Sequence, residues 1–224
     1  MVAFVIHIVF AIILFTPTNV KSQTVFNKCT TPKMVALTFD DGVSKNFEEV
    51  LSILDKEHIK ATFFIVGETL TAKNLSILGK VKDKGHLIYN HTWSHQFLPK
   101  LNKDKVIQEI KETENSISQF KSNKSLIIRP PYGALNDATR QILKDLGYKI
   151  ILWNIDIKDW EPNVSKDVLI NRYKKIVSKS NPNLNSFILL LHDRRKKSVE
   201  ILPEIITYTK LLGYSFVTLD TCIK

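Results

Sequence analysis

The chain has 224 residues, 44% of them hydrophobic and 24% charged, with a net charge of +10. That is enough apolar material for one domain of α/β-barrel size, and it excludes a disordered or fibrous chain. The basic excess has one dense run, Arg194-Arg195-Lys196-Lys197, without the aromatic–basic alternation of a nucleic-acid binder, and reads as solubility with weak attraction to anionic wall material.

Residues 1–16 carry no Lys, Arg, Asp or Glu, and the polar stretch 18–22 follows. The apolar core is too short for a comfortable membrane span and Val20 and Ser22 fit a small-residue cleavage site, so a secretory signal peptide over 1–22 is expected, cut before Gln23. An uncleaved N-terminal anchor is the alternative. No stable membrane span is expected after cleavage, and the domain is 23–224. Secretion would place the two cysteines, Cys29 and Cys222, in an oxidising compartment, where one disulfide would close nearly the whole domain and stabilise it by about 4–5 kcal/mol on a chain-entropy argument; two unpaired thiols are the alternative. Asn74, Asn123 and Asn163 head sequons that suit glycans, while Asn90 heads one expected to be buried.

Residues 34–42, Met34-Val35-Ala36-Leu37-Thr38-Phe39-Asp40-Asp41-Gly42, read as a buried strand with two carboxylates at its C-terminal tip. Helical spacing follows over 46–58, with Ser44 or Asn46 as cap. A second strand is predicted at 61–66, a helix at 71–84 stopped by Gly85, and a short strand at 86–89. The longest helix spans 103–120, with Val106, Ile110, Ile117 and Phe120 on one stripe. A strand at 126–128, a helix at 136–146 and a strand at 149–153 come next. The loop 154–160, a helix at 166–179, a strand at 187–191, a helix at 197–212 and a strand at 215–219 complete the chain. Strands and helices alternate with short connections, so a parallel sheet is expected, as a barrel or a doubly wound sheet. Every unusual polar cluster falls just after a strand, which gathers them at one end of the sheet.

His91 and His95 are four apart, a spacing that suits a metal pair, and the Asp40–Asp41 pair can give the third ligand. Two imidazoles and one carboxylate leave positions open, as catalytic sites do. The second aspartate is then free to act as a base. His192 can be the complementary acid, or a packed core histidine. Arg129, held extended before Pro130, needs a carboxylate partner if buried, and the Asp pair is the obvious one. Asp156 or Asp159 can orient His192, or cap a turn. Tyr132, Leu190 and Trp160 line an apolar pocket or belong to the core.

Five motifs now stand in order: Thr38-Phe39-Asp40-Asp41-Gly42, His91-Thr92-Trp93-Ser94-His95, Arg129-Pro130-Pro131-Tyr132, Asp156-Ile157-Lys158-Asp159-Trp160 and Leu190-Leu191-His192-Asp193. In these the chain resembles the polysaccharide deacetylases of the NodB-type carbohydrate esterase family 4, chitin deacetylases above all. The resemblance implies a distorted (β/α) barrel of about seven repeats and a divalent metal, zinc first and cobalt or another ion second. It implies that Asp41, His91 and His95 bind the metal, that Asp40 is the general base held by Arg129, and that His192 is the general acid tuned by Asp159. It further implies that the Tyr132 backbone N–H meets the oxyanion, and that Trp160 and Leu190 enclose the acetyl methyl. The expectation is a monomeric, secreted deacetylase of N-acetylglucosamine polymers, chitin first, in a cell or spore wall. The alternatives are peptidoglycan or acetyl-xylan as substrate, a weak or inactive glycan-binding protein of the same fold, or a small-amide hydrolase. Two departures from the family pattern stand out. Val43 replaces a usual Pro, which is expected to loosen the turn, and Tyr89 replaces a frequent Gly, which is expected to add bulk near the metal pair.

Overall fold

A computed structural model describes residues 25–224; the expected signal peptide lies outside them. The strands are β1 (Val25–Phe26), β2 (Met34–Gly42), β3 (Thr62–Ile65), β4 (Leu87–Asn90), β5 (Ile127–Ile128), β6 (Lys149–Ile151), β7 (Ile155–Asp156), β8 (Phe187–His192) and β9 (Ser215–Val217). The helices are α1 (Phe47–Lys56), α2 (Ala72–Asp83), α3 (Lys103–Ile117), α4 (Asp137–Asp145), α5 (Lys166–Val177), α6 (Lys196–Leu211) and α7 (Leu219–Cys222). Every strand pairing is parallel, in the order β1-β6-β5-β4-β3-β2-β8-β7, with β9 added to the start of β2.

The sheet must curl. β6 lies at one side of that order and β7 at the other, yet only residues 152–154 join them, a step of roughly 14 Å at most. The joining segment bonds to both sides. Leu152 N–H donates to Phe26 O (2.7 Å) and Asn154 N–H to Ile188 O (3.2 Å). The Asn154 side chain adds bonds to Ser186 O and from Ile188 N–H, both 2.9 Å. This is the distorted (β/α) barrel that the five motifs implied. The fifth predicted strand ends at Ile151 rather than 153 because Leu152 and Trp153 cross this seam. The two-residue strands β1 and β7 were too short to leave a periodic signal.

Strand alternation divides the apolar residues into two layers. Val35, Leu37, Phe39, Phe63, Ile65, Ile88, Leu189 and Leu191 pack outward against α1, α2, α5 and α6. Ala36, Phe64, Leu87, Tyr89, Ile127, Ile151 and Ile188 fill the barrel, with Leu219, Cys222 and Ile223 closing it from below. A Cys29–Cys222 disulfide ties this floor together, as expected. Tyr89 belongs to this interior. Its hydroxyl bonds to Asp220 and accepts from Asn123 Nδ2 (3.1 Å), so its bulk goes to the floor and not to the metal pair, a correction to the sequence reading. The Asn123 side chain is thereby engaged, which argues against a glycan there, whereas Asn163 is exposed and Asn90 buried.

Asn46 precedes α1 but does not cap it. Its amide instead donates to Asp193 O at 3.0 Å. The Val43 turn is not loosened either. Val43 N–H donates to Thr69 Oγ1 (3.2 Å), a bond that proline lacks the hydrogen to make. Among the described residues no helix is long and apolar enough to cross a membrane.

Candidate active site

Two adjacent residues of a regular strand face opposite sides. Asp40 and Asp41 nonetheless share one cavity, because β2 breaks its register with β3 between Phe39 and Gly42 and Asp41 adopts φ +68°. The Asp-Asp pair thus depends on a bulge that strand periodicity alone does not announce.

Asp41 Oδ1 lies 3.4 Å from His91 Nε2 and 3.2 Å from His95 Nε2. It is buried and has no well-formed hydrogen bond. One ligand atom from each of the three residues falls within 4.8 Å of the others. His91 Nδ1 is 2.7 Å from Arg129 O; if that nitrogen carries the hydrogen, Nε2 presents its lone pair to the cavity. An orphaned carboxylate oxygen facing two imidazole nitrogens is a donor set that fits a divalent cation such as zinc. Burial by itself would raise the Asp41 carboxyl, but His91 and His95 hold it well below the usual carboxylate range.

The loop carrying the two histidines is strained and held from several sides. Thr92 (φ +67°) and His95 (φ +55°) occupy left-handed backbone, which persists only where surroundings enforce it. Asn90 Oδ1 accepts from Thr92 N–H (2.9 Å). Gly67 N–H and Glu68 N–H donate to Thr92 O (3.0 Å) and Trp93 O (2.9 Å), and a Cβ at Gly67 would meet Trp93 at 2.3 Å. Glu109 of α3, buried, accepts from Ser94 N–H (2.8 Å) and Ser94 Oγ (2.7 Å) and from Gln96 Nε2 (3.3 Å). The sequence reading missed Glu109; a lone acid on the apolar stripe of α3 was its only trace.

Arg129 follows β5 and is wholly buried. Its Nη1 donates to Asp40 Oδ1 (2.7 Å) and Thr38 Oγ1 (2.8 Å), its Nη2 to Leu152 O (3.2 Å), and it lies over the Phe64 ring at 4.2 Å. The expected Arg–Asp pairing is therefore present, with Asp40 as the carboxylate. Opposite stands His192, at the tip of β8. Asp159 Oδ1 meets its Nδ1 at 2.7 Å, and Asp159 Oδ2 accepts from the His192 backbone N–H (2.8 Å) and from Ser198 Oγ. Burial pushes the His192 imidazole down, but Asp159, with Asp40 and Asp41, outweighs it and raises it above its ordinary value. Asp159, not Asp156, orients His192; Asp156 accepts from Lys158 N–H (2.7 Å) in a turn.

Asp40, Asp41, His91, His95 and His192 line one cavity of about 420 Å³, together with Tyr132, Trp153, Asp156, Trp160, Leu190, Arg194 and Arg195. Tyr132 has φ +60° and its ring packs on His95 at 4.7 Å. Leu190 is buried in the floor of the cavity, and Trp160 stands half-open at its side. Arg194 corrects the reading of its basic run as mere solubility, because its Nη2 sits 2.7 Å from Asp41 Oδ2. Asp193 is buried beneath, its Oδ2 accepting from Ser44 N–H (2.8 Å), and burial raises its carboxyl to about 6.

Comparison with known proteins places this geometry. The family model described as polysaccharide deacetylase matches residues 27–151, which hold Asp40, Asp41, His91, His95 and Arg129 but stop short of Asp159 and His192. The chain is 32% identical over 207 residues to the peptidoglycan-N-acetylglucosamine deacetylase PgdA of Listeria monocytogenes, covering 92% of this chain but only 42% of that protein. It is 34% identical over 195 residues to the peptidoglycan-N-acetylglucosamine deacetylase of Bacillus cereus, covering 85% of this chain and 68% of that one. Among solved structures, the chitin deacetylase of Colletotrichum lindemuthianum superposes with a TM-score of 0.83 at 29% identity, covering 90% of this chain and 92% of that one.

Proposed function

The chain belongs to the polysaccharide deacetylase family, and from that premise we propose that it is a secreted, metal-dependent deacetylase of N-acetylglucosamine polymers, chitin first. One observation carries the reading. A carboxylate fixed by a buried arginine, Asp40–Arg129, and an imidazole fixed by a buried carboxylate, His192–Asp159, face the same cavity as the Asp41–His91–His95 cluster. That is a base, an acid and a cation-binding set around a space of small-ligand size.

Asp41, His91 and His95 would hold a divalent cation, which would supply positive charge beside an acetyl carbonyl. Arg129 holds and aims the Asp40 carboxylate, so Asp40 takes the proton of the attacking water as the C–O bond forms. The raised His192 imidazole carries a proton at Nε2 and gives it to the sugar nitrogen as the C–N bond breaks. Acetate and the free amine leave. The Tyr132 backbone N–H, in its left-handed conformation at the cavity wall, is the donor for the developing oxyanion, and Leu190 and Trp160 flank the methyl.

Chitin is placed first on the likeness to a chitin deacetylase at a TM-score of 0.83; a peptidoglycan N-acetylglucosamine deacetylase superposes at 0.80, so the test carries both polymers. The inactive-protein alternative rested on Tyr89 crowding the metal pair and on the short connections between elements; the first ground falls, since Tyr89 points to the barrel floor. The disulfide and the apolar leader support action outside the cell, at a wall. The test is acetate release by the metal-loaded protein from chitin oligomers of two to six sugars, with peptidoglycan fragments and acetyl-xylan in parallel. Asp40→Asn should lower the rate by about 10²–10⁴. Near-normal activity of that variant would remove Asp40 as the base, and release from peptidoglycan alone would move the substrate assignment.

A further inference from the structure

At the edge of the cavity, two large aromatic side chains lie open to solvent beside one another. Tyr132 is 65% exposed and Phe97 is 42% exposed, their ring centroids 6.1 Å apart. Tyr132 also packs on His95, so His95, Tyr132 and Phe97 form a continuous row of rings leading from the cation-binding cluster to the surface. Phe97 does not line the cavity itself. Its exposure has a local cause. The next residue, Leu98, is fully buried and begins a tight turn in which Lys100 N–H donates to Phe97 O (3.0 Å), so the chain direction that buries Leu98 turns Phe97 outward. The preceding residue, Gln96, is tied to Ser94 Oγ (2.8 Å) and to Glu109. Phe97 is therefore held in place while its ring remains uncovered, and Lys100 Nζ lies 5.9 Å over the same ring.

We propose that Phe97, with Tyr132 beside it, is a stacking platform for the pyranose ring next to the one in the cavity, and so sets the preference for an oligomer over a single sugar. The inference rests on the deacetylase reading and extends that site by one sugar. A pyranose of a β-linked polymer presents an apolar C–H face and a polar hydroxyl rim. An aromatic face takes the first, and a nearby ammonium donates to the second. A ring already fixed by its turn loses little conformational freedom on binding, so more of the contact appears as affinity. Isolated exposed apolar residues are ordinary. A fixed pair that continues a catalytic cavity is what a polymer, rather than a single sugar, would use.

The experiment compares Phe97→Ala and Phe97→Trp with the parent on N-acetylglucosamine and its oligomers of two to six sugars. For Phe97→Ala, KM for the hexamer should rise about tenfold, the scale of one buried aromatic side chain, with kcat little changed. The effect should be absent on the single sugar, which cannot reach the platform, and Phe97→Trp should restore the parent value. An equal proportional loss on the single sugar and the oligomers, or no loss on any, overturns the platform. Calorimetric binding of the hexamer to Asp40→Asn, with and without Phe97→Ala, reads the same contact without turnover. Binding that depends on Phe97 in a protein that releases no acetate would retain the platform and remove the enzymatic reading; acetate release indifferent to Phe97 would do the reverse.

Discussion

The two ends of the barrel hold polar groups on opposite terms. At the floor, Tyr89, Asp220 and Asn123 satisfy one another, and the disulfide fastens the chain ends around them. At the rim several polar atoms are left unsatisfied. Six buried side-chain polar atoms lack a partner among the described residues, and five of them (on Asp41, Thr92, Arg129, Asp193 and Arg195) are at the rim. Left-handed backbone collects there too, at Asp41, Thr92, His95, Tyr132 and Lys158. Unpaired buried groups and strained backbone each cost on the order of 1–3 kcal/mol, so a fold that tolerates them in one place has a use for them there. The floor supplies stability and the rim spends it on readiness for a ligand.

The largest effect should come from the floor. Replacing both cysteines, Cys29→Ser with Cys222→Ser, removes a link across 193 residues of sequence. Chemical denaturation should show a loss of about 2–5 kcal/mol, while kcat/KM at a temperature where the variant stays folded should not change. A fall in kcat/KM in the folded variant would mean that the floor also shapes the rim, and the contrast between the two ends would not stand.

How far this contrast was legible in the sequence depends on the range of the signal. The strand at 34–42, the helices and the order of the motifs are local patterns, and they recur in β2, α1–α6 and the rim loops within a few residues. That Arg129 meets the Asp40–Asp41 pair and that Asp156 or Asp159 meets His192 was accessible because a buried charge demands a partner and few candidates existed, while the choice of Asp40 and Asp159 came from the resemblance to the family. What escaped needed three-dimensional placement. Whether Tyr89 points up or down its strand is decided by the register of β4, with its hydroxyl 131 residues from Asp220 in sequence. Arg194 looked like one more surface cation until the end of β8 brought it to Asp41. Glu109 and Phe97 carry no motif, since one acts through backbone and hydroxyl groups of a loop and the other through an exposed face.

At the rim, Glu109→Gln sharpens the comparison. A glutamine keeps the volume but offers one acceptor and one donor where Ser94 N–H and Ser94 Oγ both donate to the carboxylate. The loop holding His91 and His95 should lose its fixed left-handed turns. Affinity for zinc, read by chelator competition and not by turnover, should weaken about 10–100-fold, as for other groups that orient metal ligands. A parallel measurement of unfolding separates this from general damage. Affinity unchanged in a destabilised protein would make Glu109 a scaffold residue with no hold on the cluster.

The smallest effect is expected from Tyr89→Phe. The change removes one hydroxyl, leaving Asp220 with Asn123 and a nearby cavity open at the floor, lined also by Lys149 and Lys224, from which water can replace the lost bond. The stability cost should therefore be about 1 kcal/mol. KM and kcat on chitin oligomers should stay at parent values, because the ring remains in place and none of its atoms lines the catalytic cavity. A shift in KM would return Tyr89 to the cleft, where the sequence had placed it, and would show that a group sealed in the floor is felt through the barrel at the rim.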